Sequence, residues 1–161
     1  MTDIPGFSVQ AGEGRSLTTP TADVITIKAD TRQTNGSMTV MELRVAPGSG
    51  PATHIHLRED ELWWVLEGDF RFRTADDWLR ASTGGMAFGP RGMPHAFQNV
   101  GTTPGRLLIV TTPSGVERFF EQFAEAGTLP VDFEQLTAIG KANWLEFTGP
   151  PLSVSGPTTT A

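Results

Sequence analysis

Between Asp23 and Thr112 the sequence is cut into short stretches by turn-forming residues, and a chain punctuated so closely has few solutions other than a sandwich or a barrel. Val24 to Ile27 reads as a strand and Asn35-Gly36 as a turn. Ser37 to Val45 then alternates Met41, Leu43 and Val45 against Glu42 and Arg44, giving one buried and one wet face. Further strands are expected at 52–57, 61–67, 69–74, 78–81, 86–89, 95–99 and 106–112, separated by Gly68-Asp69, Ala75 to Asp77, Gly84-Gly85 and Gly101 to Gly105. The expected fold class is therefore all-β, with the barrel over about residues 22–113.

After Pro113 the pattern changes. Phe119, Phe120 and Phe123 fall at helical spacings in a segment from Glu117 to Ala126 that stops at Gly127. Pro130 and Asp132 open a second short helix toward Ile139, with Gly140 as its stop, so short C-terminal helices are expected over about 115–140. The Phe stripe reads first as a core contact on the barrel, and a lid over its mouth is the second reading. From about Pro150 the chain is Pro, Ser, Gly and Thr, a composition suited to a flexible tail. Residues 1–20 read as a loosely ordered arm able to add an edge strand, and 161 residues suit a single domain.

Charge and composition exclude several classes. With a net charge of −6 and no Lys/Arg block, a phosphate backbone or an anionic membrane surface would repel this chain, so no nucleic acid and no membrane are expected as partners. The N-terminus lacks a basic region and an apolar run, and a cytoplasmic location is the default expectation. Zero cysteines remove disulfides, thiolate metal sites and cysteine nucleophiles, leaving His, carboxylate and hydroxyl chemistry.

The three histidines lie in two short segments, His54-Ile55-His56 and Pro94-His95. Residues two apart on a strand face the same way, so His54 and His56 can present both imidazoles to one interior point. Glu61 shares parity with Trp63 and Val65 and is expected to face the same interior. Asp60 has the opposite parity and Glu59 sits in the turn, and both read as solvated turn residues. Trp63 and Trp64 must point to opposite faces; Trp63 is the pocket candidate, with plain core burial of both as the alternative. Met41, Leu43, Phe88 and Phe97 are expected as apolar walls first and substrate contacts second.

These residues resemble the cupin superfamily. A glycine, five residues, His-x-His, four residues, Glu, six residues and a glycine are met by Gly48, His54, His56, Glu61 and Gly68. A glycine, five residues, Pro-x-Gly, two residues, His, three residues and Asn are met by Gly84, Pro90, Gly92, His95 and Asn99, with fifteen residues between the two motifs. The surrounding wording is similar to small bacterial single-domain cupins described as like quercetin 2,3-dioxygenase. The resemblance implies a cupin double-stranded β-helix, or jelly-roll barrel, holding one divalent transition metal ion (Fe, Mn, Ni, Co or Zn) on His54, His56, Glu61 and His95. Such a donor set leaves positions for water, dioxygen or substrate.

A metal-dependent dioxygenase acting on a small hydroxylated aromatic or enolisable, flavonol-like substrate is the first functional expectation, with Glu61 switching between ligand and general base. The alternatives are a metal-dependent isomerase, lyase or decarboxylase without oxygen, and a non-catalytic small-molecule-binding cupin. A homodimer is also consistent with the sequence, because the edge strands of a short jelly roll need cover.

Overall fold

Period-two alternation and turn chemistry become strands almost where the sequence places them. A computed structural model describes residues 4–21, 23–127 and 132–152. Its strands are β1 (Arg15–Thr18), β2 (Val24–Ala29), β3 (Thr39–Val45), β4 (Ala52–His56), β5 (Asp60–Glu67), β6 (Asp69–Thr74), β7 (Asp77–Ser82), β8 (Met86–Gly89), β9 (His95–Asn99), β10 (Gly105–Thr112) and β11 (Leu145–Pro151). Two helices, α1 (Glu117–Glu125) and α2 (Phe133–Ala142), lie between β10 and β11. Gly48, Gly68, Gly84 and Gly92, which frame both motifs, all adopt positive φ, a conformation that side chains disfavour.

The strands form two antiparallel sheets, ordered β1-β2-β3-β10-β5-β8 and β11-β4-β9-β6-β7. The first motif crosses from the second sheet (β4) to the first (β5), and the second motif crosses back from β8 to β9. Both motifs thus bring side chains from opposite layers to one interior. That interior is filled in rows. Thr39, Thr111 and Glu61 share one row across β3, β10 and β5; Met41, Ile109, Trp63 and Ala87 share the next; Leu43, Leu107 and Val65 the one after. Phe70, Phe72 and Phe97 face them from the other sheet, with ring centroids 6.2–6.4 Å apart. Each of these buried aromatics contributes about 1.5–3 kcal/mol of transfer free energy.

The N-terminal arm does supply an edge strand, β1, which pairs with β2. β11 is not foreseen from the sequence, because Gly149, Pro150 and Pro151 weaken a strand assignment. It survives at the sheet edge, paired only with β4, where a missing N–H matters least. The expected flexible tail lies, from residue 153 onward, outside the described residues. Asp132 caps α2 by accepting from the N–H groups of Glu134 and Gln135 at 2.9 and 3.3 Å. Gly140 does not stop α2. It lies within the helix, at a point where a Cβ would meet the Phe147 ring at 2.8 Å. Phe119 and Phe123 of α1 are buried in the core cluster, and Phe119 reaches Phe147, whose ring in turn lies 6.1 Å from that of His54.

Candidate metal centre

His54 and His95 are register partners on β4 and β9, and Glu61 faces them from β5 in the other sheet. One ligand atom from each of His54, His56, Glu61 and His95 lies within 4.8 Å of all the others. Glu61 Oε2 is 3.1 Å from His56 Nε2 and 3.0 Å from His95 Nε2. His56, Glu61 and His95 are buried, while His54 is half-buried.

The imidazoles are aimed by what holds their other nitrogen. His54 Nδ1 is 2.8 Å from the Ala52 carbonyl and His95 Nδ1 is 3.1 Å from the Met93 carbonyl. A carbonyl can only accept, so in both rings Nδ1 carries the hydrogen and Nε2 presents its lone pair to the centre. Glu61 Oε2 and His95 Nε2 are nevertheless buried without a hydrogen-bond partner among the described residues. Buried polar atoms are rarely left so, and converging lone pairs without protons suit a cation. The donor set, three imidazoles and one carboxylate, fits a divalent first-row ion.

Electrostatics favour an ion at His54 and Glu61, while His56 must give up a proton to join them. Burial, reinforced by the fields of His95 and His56, pushes His54 down to about 3, so it is neutral. Burial would also lower His56, but Glu61 and Glu59 outweigh it and raise His56 to about 9. Burial would raise Glu61, yet His56 and His95 hold it well below the usual carboxylate range. Glu61 is therefore ionised, as both a metal donor and a proton acceptor must be.

A family model for the cupin domain matches residues 41–111, the span that carries all four converging residues. Over that span the chain is similar to a cupin domain. A curated relative, the tetracenomycin polyketide synthase protein TcmJ of Streptomyces glaucescens, is 28% identical over 104 residues, covering 65% of this chain. The chain spans 63% of that relative's length. Among solved structures, KdgF from a Halomonas species superposes with a TM-score of 0.60 at 17% identity, over 68% of this chain and 94% of its own. A predicted oxalate decarboxylase from Thermotoga maritima gives 0.58 at 19% identity, over 66% and 99%. At such identities these structures bear on the fold alone.

The candidate walls of the site are not equally placed. Trp63 is fully buried one row from Glu61; its ring stands edge-on to His95 with centroids 5.2 Å apart. Met41 is in the same row and Phe97 lies two residues from His95 on β9, so both are close. Leu43 sits a further row away, partly buried against the core. Phe88 must be corrected: it is 48% exposed on the outer face, opposite Leu62 and beside Trp64. The inward positions of β8 are Ala87 and Gly89, and a Cβ on Gly89 would lie 2.5 Å from the Trp63 ring, so Trp63 takes the space.

Glu59 and Asp60 also need correction. Asp60 does face outward, but it pairs with Arg91 through Nε at 3.1 Å and Nη2 at 2.8 Å, tying one motif to the other. Glu59 is 2% exposed, with Oε2 3.6 Å from His56 Nδ1. Period-two counting assigns no direction to a turn residue, so no sequence signal would have found it. Glu117 is likewise hidden behind the Phe stripe: it is 3% exposed and accepts from Thr31, Thr39 and Gly115.

Proposed function

We propose that this chain is a cupin that binds one divalent transition metal ion through His54, His56, Glu61 and His95, and works as a metal-dependent dioxygenase on a small hydroxylated aromatic or enolisable substrate. The convergence of four ligand atoms, two of them buried without hydrogen-bond partners, carries the reading. The ion would supply Lewis acidity toward the substrate oxygen and a site for dioxygen. His54, His56 and His95 act as neutral donors through Nε2, and Glu61 as the anionic donor and the acceptor of the substrate hydroxyl proton at Oε2. Trp63, Met41 and Phe97, all buried, would supply the apolar wall of a substrate site. The chain has no tyrosine for the acid–base role.

Oxygen consumption by the metal-reconstituted protein with a panel of flavonols and related enols tests this reading. Uptake is expected with at least one, and no uptake with any ion tried counts against an oxygenase. A second reading keeps the ion and omits oxygen: a lyase, isomerase or cyclase-type reaction. The similarity to a polyketide synthase protein favours it, because polyketide chains carry enolisable carbonyls. Turnover under anaerobic conditions distinguishes the two.

A further inference from the structure

His54 and His95 each have a backbone carbonyl behind Nδ1; His56 has none, and a buried carboxylate stands there instead. Its Nδ1 and the Glu59 Oε2 that faces it at 3.6 Å are both buried without a hydrogen-bond partner among the described residues. The other oxygen, Oε1, faces Arg58, whose Nε lies 3.9 Å from it. The Arg58 guanidinium in turn lies over the Trp144 ring, 5.8 Å from its centroid.

We propose that Glu59 is a positioning residue for the metal centre: its carboxylate accepts the Nδ1–H of His56 and thereby holds the ring with its Nε2 lone pair on the point shared by His54, Glu61 and His95. This rests on the metal-binding reading above. A buried carboxylate has little reason to sit at that distance from an imidazole unless it orients the ring, because isolating it from water is unfavourable. A carboxylate behind a coordinating histidine also increases the electron density of the ligand nitrogen, and loss of such a partner weakens metal binding by about 10- to 100-fold.

The test measures Mn(II) affinity by chelator competition and the visible spectrum of the Co(II) form for wild type, Glu59→Ala and Glu59→Gln. Glu59→Ala is expected to weaken Mn(II) binding by about 10- to 100-fold and to alter the Co(II) spectrum. Glu59→Gln, whose amide oxygen still accepts the hydrogen bond, is expected to lose less. It also carries the test if the alanine variant fails to fold in the metal-free state. In a His56→Ala background, replacing Glu59 is expected to change nothing further. Affinity within twofold of wild type in both variants, or an equal loss with and without His56, overturns the proposal. Wild type that takes up no ion at all overturns the metal centre itself, a distinguishable result.

Discussion

Glu117 joins the first turn of α1 to two separate stretches of chain, and replacing it with glutamine isolates the value of its charge without changing its shape. Oε1 accepts from the Thr31 N–H at 2.9 Å and from the Thr31 hydroxyl; Oε2 accepts from the Gly115 N–H at 3.0 Å and from the Thr39 hydroxyl. However the introduced amide is turned, its NH2 group confronts one of the two backbone N–H donors, neither of which can rotate away. A hydrogen bond to a charged group contributes about 1.5–3 kcal/mol, and an unpaired buried donor costs about 1–3 kcal/mol. Gly115 N–H has Thr39 Oγ1 at 3.1 Å as a fallback, which favours the lower end. A net loss of about 2–4 kcal/mol follows, or roughly 4–16 °C in Tm for a chain of this size. The assay is thermal and urea unfolding of Glu117→Gln against wild type in chelator, so that ion binding adds nothing. Burial would raise the Glu117 carboxyl, but the Thr31 and Thr39 hydrogen bonds lower it. The stability it adds is therefore complete above the unfolded pKa of about 4.3 and is lost as the pH falls through the folded value. The gap between wild type and variant should close in acid. A loss under about 1 kcal/mol at pH 7, or a gap that widens as the pH falls, would refute the reasoning.

Metal uptake should release a proton. His56 sits at about 9 without an ion, so affinity should rise about tenfold per pH unit between pH 6.5 and 8.5; a flat profile of Mn(II) affinity rules this out. The Arg91 hydrogen bonds hold Asp60 at about 2, but both side chains are partly exposed, so Arg91→Ala is expected to lower stability only slightly, with the difference shrinking in high salt and below pH 4. A large loss in urea titration that salt leaves unchanged would contradict that. The outer face of β5 and β8 exposes Trp64, Met86 and Phe88 beside the free edge of the first sheet, and a homodimer covering them is expected. Sedimentation should show a dimer that Trp64→Ser with Phe88→Ser dissociates; a wild-type monomer rejects it.

Much of this is legible because strands have a rigid period. Parity alone puts His54, His56 and Glu61 inward and Asp60 outward, and every strand expected between residues 52 and 112 lies within two residues of its place. Legibility fails where the period does. Met86 to Gly89 is apolar or small at every position, so nothing in it says that the largest ring faces solvent; the volume of Trp63 decides. Glu59 occupies a turn, and Gly140 looks like a helix stop until Phe147, a residue of the following strand, packs against it. No helix among the described residues is long and apolar enough to cross a membrane.

Each motif starts in one layer of the sandwich and finishes in the other. An ion held by all four residues is then a rivet between the two leaves, and stripping it loosens their mutual grip rather than any single strand. Amide hydrogen exchange should accelerate on both β4 and β5 together when the ion is removed, while the hairpin of β6 and β7 stays as slow as before.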